Sequence, residues 1–285
     1  MKRVPLGDLT FGDPDQFVLI AGPCVIESED STFRHAEEIF AIASELAIPY
    51  VFKASYDKAN RSSIYSYRGP GLREGLKILG KVKERFRVPV LSDVHTVEEV
   101  APASEVLDIL QVPAFLSRQT DLIVACAKTK KIVNVKKGQF LSPWDMQNVV
   151  EKIESVGNQN ILLTERGVSF GYRNLVSDFR SIPVLQSFGY PVVFDVTHSV
   201  QIPGGLGHAS GGQAQFIPTL ARCAIAAGAD ALFMEVHEQP EQALSDGPNN
   251  LKLSDLKELL AMLKEIRRVA PVGPREVIHD PITSL

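Results

Sequence analysis

The chain has 285 residues, 45% hydrophobic and 22% charged, which is ordinary for a folded protein and excludes a disordered or collagen-like chain. Basic residues number 30 and acidic residues 34, a formal charge of −4 that argues against a broad nucleic-acid-binding surface. Three widely spaced cysteines make no disulfide framework and fit a reducing, cytoplasmic setting; Asp8 and Asp13 interrupt any leader after Met1-Lys2-Arg3, and no run of about 18 apolar residues offers a membrane span.

In chain order, residues 1–16 are expected to form an extra strand or hairpin. Short β-rich runs then recur at 17–21, 49–53, 88–93, 107–112, 131–135, 160–164, 191–196 and 230–236. Most are continuously apolar, which suits parallel strands buried on both faces. Helical periodicity fills the gaps at 31–47, with Ser31 as its cap, and at 71–86, 122–129, 143–156, 174–187, 213–227 and 254–269. A weaker helix at 97–105 contains Pro102. Eight strands alternating with about eight helices predict a (β/α)8 TIM barrel in a single domain, 1–285, with a short N-terminal extension and a C-terminal tail at 270–285. An open doubly wound sheet is the alternative, but no G-x-G-x-x-G follows the first strand.

Chemistry in such a barrel gathers where the strands end. The expected strand ends deliver Cys24, Lys53, Asp93, Gln111, Lys136, Glu165-Arg166, Asp195 to His198, and Glu235 to His237. Lys53, Lys58, Arg61, Arg118, Lys136 and Arg166 together predict a cationic mouth, which fits substrates bearing phosphate and carboxylate groups. The alternative is that each cation pairs with a nearby Asp or Glu. Cys24, His198, Glu235 and Asp246 offer thiolate, imidazole and carboxylates, a set that suits zinc or ferrous iron. Their spacing is a weak signal, since a lone Cys is often a packing residue and Asp246 lies in a turn-like Ser245-Asp246-Gly247-Pro248. Cys126 and Cys223 fall in Ala-rich helical stretches as packing residues, His35 on a helix surface, and Trp144 near a helix start. The glycines between 204 and 212 suggest a lid, a phosphate nest or a flexible loop.

Four stretches carry a resemblance: Lys58-Ala59-Asn60-Arg61-Ser62-Ser63, Asn134-Val135-Lys136-Lys137-Gly138-Gln139-Phe140, Leu163-Thr164-Glu165-Arg166-Gly167, and Asp195-Val196-Thr197-His198-Ser199-Val200-Gln201. In these the chain resembles the 3-deoxy-D-manno-octulosonate-8-phosphate synthases, from about residue 17 to 250. The sister 3-deoxy-D-arabino-heptulosonate-7-phosphate synthases, which use erythrose 4-phosphate, typically carry a Lys-Pro-Arg-Thr-Ser type stretch in place of the first.

The resemblance implies condensation of phosphoenolpyruvate with arabinose 5-phosphate by a cytoplasmic homotetramer of lipopolysaccharide biosynthesis, with no nucleic-acid or membrane partner. It also implies the metal-dependent kind of the enzyme, which has Cys at position 24 where the metal-free kind has Asn. Cys24, His198, Glu235 and Asp246 would then hold a divalent metal, zinc or iron(II), with manganese or cobalt as further candidates. Lys136 and Arg166 would hold the phosphoenolpyruvate phosphate, and Lys53 and Lys58 its carboxylate side. Asn60, Arg61, Ser62 and Asp93 would meet the sugar, and Gln111 would be a further substrate contact. Arg118 would be a phosphate ligand, reaching across a subunit interface. Lys58, His198, Cys24 and Asp246 are the expected catalytic groups.

Overall fold

The structure is a computed structural model that describes residues 2–204, 211–270 and 278–280. Eight parallel strands follow one another around a closed ring: β1 (Val18–Gly22), β2 (Tyr50–Lys53), β3 (Val90–Asp93), β4 (Ile109–Val112), β5 (Ile132–Lys136), β6 (Ile161–Glu165), β7 (Val192–Asp195) and β8 (Ala231–His237). β8 pairs with both β7 and β1, which closes the ring. Between them run α1 (Glu29–Glu45), α2 (Leu72–Phe86), α3 (Val97–Val106), α4 (Thr120–Lys128), α5 (Met146–Glu154), α6 (Ser181–Ser187) and α7 (Ile217–Ala226); α8 (Leu253–Val269) ends the series. This is the (β/α)8 barrel expected from the alternation.

Three local expectations are corrected. The cap of α1 is Ser28, whose Oγ accepts the Ser31 N–H at 3.1 Å, and Glu29 and Asp30 occupy the first turn where the helix dipole favours them. Residues 174–187 are not one helix. Leu175–Val176 pairs antiparallel with Val168–Ser169, and α6 starts later, with Pro183 in its first turn, where a missing N–H loses no bond. His35 is fully buried rather than on a surface. Its Nδ1 bonds the Ser31 carbonyl at 2.7 Å, its Nε2 accepts the Glu238 N–H at 3.2 Å, and its ring lies 4.9 Å from that of His237. Ser31 lies one helical turn away, but His237 and Glu238 come from the far end of the chain, out of reach of a helical period.

The apolar interior has two parts, set by the two faces of each strand. Outward residues such as Leu19, Phe52, Leu110, Val133, Leu163 and Phe194 pack under the helices. Inward residues, among them Val18, Ile20, Leu91, Ile109, Ile132, Leu162, Val193 and Phe233, fill the barrel. The antiparallel hairpin Val4–Leu6/Leu9–Phe11 adds Val4, Leu9 and Phe11 to this inner cluster, and Lys2 N–H bonds the Gly189 carbonyl just before β7. The hairpin therefore plugs the N-terminal end of the barrel. Phe11→Ala should destabilise the fold by about 3–5 kcal/mol while leaving the opposite mouth intact. Denaturant titration together with substrate-binding measurements on the folded protein checks both halves of that expectation.

Candidate active site

Along each strand the inward positions change character toward the C-terminal end. Val51 gives way to Lys53, Leu91 to Asp93, Ile109 to Gln111, Ile132 to Asn134 and Lys136, Leu162 to Thr164, Val193 to Asp195, and Phe233 to Glu235. β1 ends instead in Gly22, where a Cβ would meet the Lys53 carbonyl oxygen at 1.9 Å, so only glycine permits this approach of β1 to β2. Phe233 forms the boundary, with the Lys136 ammonium 3.7 Å and the Lys53 ammonium 5.3 Å from its ring centroid. Above it opens a cavity of about 460 Å3, walled by Lys58, Asn60, Arg61, Ser62, Asp93, His95, Lys136, Gln139, Arg166, His198, Gln201, Glu235 and Asp246, among others. A wider, mostly apolar groove of about 850 Å3 adjoins it behind the Asp246 loop, sharing Arg61 and Asp246 but no other strand-end charge.

Glu235 is the buried hub. Its Oε1 accepts from Lys53 at 2.5 Å and from Lys58 at 3.4 Å, while its Oε2 has no hydrogen-bond partner among the described residues. Burial opposes its charge, but Lys53 and Lys58 outweigh this and hold the carboxyl well below its usual range. Lys53 also donates to the Pro23 and Cys24 carbonyls at 3.2 and 2.9 Å. It is fully buried and lies beneath the cavity rather than on its wall. Lys58 reaches the wall; burial works against its charge, and Cys24, Glu235, Asp93 and Asp246 raise its pKa above the usual lysine value.

Near Glu235 stand the other expected metal ligands. The donor atoms of Cys24, Glu235 and Asp246 all lie within 4.8 Å of one another. The Cys24 thiol donates to Asp246 Oδ2 at 3.4 Å and lies 2.9 Å from Ser245 Oγ. Burial and the Glu235 carboxylate push this thiol up. His198 Nε2 is 3.8 Å from Glu235 Oε2. Its Nδ1 faces both oxygens of Asp195, at 3.1 and 2.9 Å, and a carboxylate only accepts, so Nδ1 carries a proton and Nε2 is the ring nitrogen left to face the cavity. Asp246 holds φ 50°, a left-handed turn that Asp tolerates, so it is both a turn residue and a site residue. Cys24, Glu235 and Asp246 thus form one cluster, while His198 approaches it only at Glu235; a thiol and two carboxylates with an imidazole at the edge form a donor set that suits a divalent cation.

The cationic mouth is more compensated than a count of six cations suggests. Lys136 pairs with Asp195 at 2.7 Å, Arg61 with Asp246 at 3.5 Å, and Lys53 and Lys58 share Glu235. Arg118 is exposed and does not line the cavity. Arg166 differs from all of these. It is buried and, among the described residues, has no carboxylate within 4 Å. Its guanidinium is spread by neutral acceptors, the Gln139 and Gln201 side-chain oxygens at 3.2 and 3.1 Å and the His198 carbonyl at 3.2 Å, and its Nε has no partner. The neighbouring Lys137 turns away from the cavity. It ties the loops after β5 and β6 together through the Leu141 and Gly167 carbonyls, at 3.2 and 3.3 Å.

Several of these groups were visible in the sequence without an assigned role. Asp195 and Gln139 follow from their strand ends, and the structure adds that Asp195 orients His198 and Gln139 holds Arg166; Ser245 and Gln201, which contact Cys24 and Arg166, had no chemical signal of their own. His95 also lines the cavity, with Nδ1 and N–H on Glu99 Oε2, which the Tyr56 hydroxyl also reaches at 2.7 Å. The Gly-rich segment falls mostly at 205–210, outside the described residues.

Comparison with known proteins supplies the family. The model of the DAHP synthetase I family matches residues 3–270. The chain belongs to this family. Within it, the chain is 61% identical over 268 residues to the 2-dehydro-3-deoxyphosphooctonate aldolase of Trichlorobacter lovleyi, covering 94% of this chain and 98% of that one. It is 62% identical over 266 residues to that of Geotalea uraniireducens, covering 93% and 98%. The same name belongs to a relative from Geobacter sulfurreducens, 59% identical over 265 residues. This branch of the DAHP synthetase I family is the one anticipated from the Lys58–Ser63 stretch.

The cysteines of this family member differ in access. Cys24 and Cys126 are buried, whereas Cys223 is exposed on α7, which corrects its assignment as a packing residue. Burial pushes the Cys126 thiol up to about 12. In the folded protein a bulky disulfide reagent should therefore react first with Cys223, and Cys223→Ser should remove the fast phase. Time-resolved thiol titration followed by peptide mapping checks this order.

Proposed function

We propose that the chain condenses phosphoenolpyruvate with D-arabinose 5-phosphate and water, giving 3-deoxy-D-manno-octulosonate 8-phosphate and inorganic phosphate. The observation that carries this is the name 2-dehydro-3-deoxyphosphooctonate aldolase on relatives 59–62% identical over 97–98% of their length. The cavity supports it: a buried guanidinium without a carboxylate partner among the described residues, three further cations on the wall and an open end lined by Asn60 and Ser62 suit two phosphorylated substrates.

In this reading the enol carbon of phosphoenolpyruvate attacks the sugar aldehyde, water adds to the neighbouring carbon, and phosphate leaves by C–O cleavage. Arg166 and Lys136 hold the phosphate that will leave, with Gln139 and Gln201 keeping the guanidinium spread. Lys58 faces the carboxylate. Asn60, Arg61 and Ser62 take the sugar phosphate end, and Asp93 accepts from a sugar hydroxyl. Lys53 acts from below, fixing Glu235 and the Cys24 backbone, and Gln111 acts on Asp93. Holding two polyanions in contact is itself a large part of such catalysis, because fixed cations offset their repulsion without reorganising.

Cys24, His198, Glu235 and Asp246 are proposed to hold a divalent metal, zinc or iron(II) by ligand type, with manganese or cobalt as substitutes. Such an ion supplies Lewis acidity and fixed positive charge at the cavity wall. The residues' own part is to present the ligands ready-made: Asp195 fixes the His198 tautomer, and Lys53 occupies one oxygen of Glu235 and leaves the other free. Association into a homotetramer is part of the same reading. The loops near the mouth expose Ile64, Tyr65, Phe115, Phe170 and Tyr172, large apolar side chains that neighbouring subunits would cover. Exposed Arg118 would then serve a neighbour's sugar phosphate. No helix among the described residues is long and apolar enough to cross a membrane, and a cytoplasmic setting is proposed.

Phosphate release from phosphoenolpyruvate should run at least about tenfold better in kcat/KM with arabinose 5-phosphate than with erythrose 4-phosphate. Equal or better turnover of the four-carbon sugar would move the chain to the heptulosonate reaction, and activity with neither would point to a binding barrel. Exhaustive chelation should abolish activity, and zinc, iron(II), manganese or cobalt should restore it to different extents. Cys24→Ala should lose bound metal by elemental analysis while keeping its circular dichroism spectrum, since the ligands stand above the barrel core. Full activity of metal-free enzyme would sink the metal assignment and leave the reaction standing.

A further inference from the structure

Beneath the cavity a row of buried polar side chains crosses four strands. Thr164 on β6 donates its hydroxyl to Asn134 Oδ1 at 2.6 Å. Asn134 on β5 donates through Nδ2 to Gln111 Oε1 at 2.9 Å. Gln111 on β4 donates through Nε2 to Asp93 Oδ1 at 2.6 Å, and Ser55 donates to Asp93 Oδ2 at 2.6 Å. Asp93, Gln111 and Asn134 stand side by side in the strand register. Thr164, Asn134 and Gln111 are fully buried, and of the four strand residues Asp93 alone reaches the cavity wall.

The polarity of this row is dictated from one end. An ionised Asp93 only accepts, so Gln111 must turn its NH2 toward it and its carbonyl toward Asn134. Asn134 must then present its own NH2 to Gln111, which leaves its carbonyl facing Thr164, and Thr164 must donate. Reversing any amide places two donors or two acceptors face to face. One layer below, the same strands carry Leu91, Ile109, Ile132 and Leu162, so apolar side chains fill this width of barrel without difficulty. A polar row costs desolvation that only complete pairing offsets. It is complete here, and it ends on a residue facing the cavity. Asp93 is also held ionised by Lys58, Lys136 and Lys53, which outweigh its burial.

We infer that Thr164 and Asn134, neither of which lines the cavity, are positioning residues that act through Gln111 on Asp93 and thereby set affinity for the sugar substrate. The row holds the carboxylate at one angle with a lone pair of each oxygen occupied, leaving those that face the cavity to accept from substrate hydroxyls. Asp93 so held has no proton to give and serves as a hydrogen-bond acceptor. The inference rests on the proposed reading in which Asp93 meets the sugar.

The test is a double-mutant cycle on the whole enzyme, with KM measured for each substrate at saturation of the other. Thr164→Val keeps shape and removes the donor. It should raise the arabinose 5-phosphate KM roughly three- to tenfold, leave that of phosphoenolpyruvate within twofold, and keep the melting temperature close to that of the parent. Thr164→Ser should restore the parent value. In an Asp93→Asn background, where the row no longer ends on an obligate acceptor, Thr164→Val should add nothing. If Thr164→Val does not fold, Thr164→Cys, a weaker donor of similar size, replaces it. A normal sugar KM in Thr164→Val beside an impaired Asp93→Asn overturns the relay and spares the sugar subsite. A normal sugar KM in Asp93→Asn removes the subsite itself, and the relay with it. Additive effects, or equal loss of both substrates, would make the row structural only and overturn the inference.

Discussion

Buried charges at the top of the barrel must be neutralised from within, and Glu235 is where that requirement converges. It is nearly inaccessible to solvent, and it remains a carboxylate because Lys53 and Lys58 share one of its oxygens. Removing either partner from such a cluster leaves an uncompensated charge, a far larger penalty than the pair's net contribution to stability. The cluster therefore sets much of what surrounds it. Lys53 draws in the carbonyls of Pro23 and Cys24, which places the thiol; Lys58 carries the loop that bears Asn60, Arg61 and Ser62; the second oxygen of Glu235 is left facing His198, and the carboxylate as a whole clusters with Cys24 and Asp246.

The barrel can sustain this layer because each strand presents two faces with period two. The outward face needs only apolar packing under helices. The inward face is apolar for one or two residues and polar for the last, so a charged layer rests on a hydrophobic one with the Phe233 ring between them. The plugging hairpin at the other end keeps water from the apolar layer. Stability and chemistry thus occupy opposite ends of one interior, as the barrel architecture generally allows.

This division explains what was legible in the sequence. Strand runs are local and strongly apolar, so all eight lay within two residues of their observed bounds, and the residues immediately after them marked the rim. The Lys58–Ser63 stretch separated two sister reactions because a contiguous loop motif survives in one dimension. What escaped depends on contacts distant along the chain. Whether Lys53 lines the cavity or lies beneath it depends on Glu235, 182 residues away. His35 is buried because residues 237 and 238 fold over it. The helix expected at 174–187 failed through a two-residue hairpin too short to leave a periodic signal. Gln111 could be named as a rim residue, but its orientation is set by Asn134 and Thr164, and a row across four strands has no sequence spacing to read.

The pairing pattern also bears on how a largely neutralised site can receive strongly anionic substrates. Lys58, Arg61 and Lys136 each reach the wall while paired with a carboxylate, so each can turn part of its charge toward a ligand without ever standing uncompensated. Arg166 cannot do so, having only neutral acceptors among the described residues. An anion arriving there meets a full, desolvated guanidinium already spread by Gln139, Gln201 and the His198 carbonyl. The His198 carbonyl belongs to the residue whose ring faces Glu235, and the Asp195 that fixes that ring also binds Lys136. The anion end of the cavity and the thiol–carboxylate cluster therefore share one segment, residues 195 to 201. Under the proposed reaction, a phosphate held by Arg166 and Lys136 and an ion held beside Glu235 would be positioned by the same few backbone atoms. That shared segment is the most direct physical reason for the two ends of the cavity to act as one site.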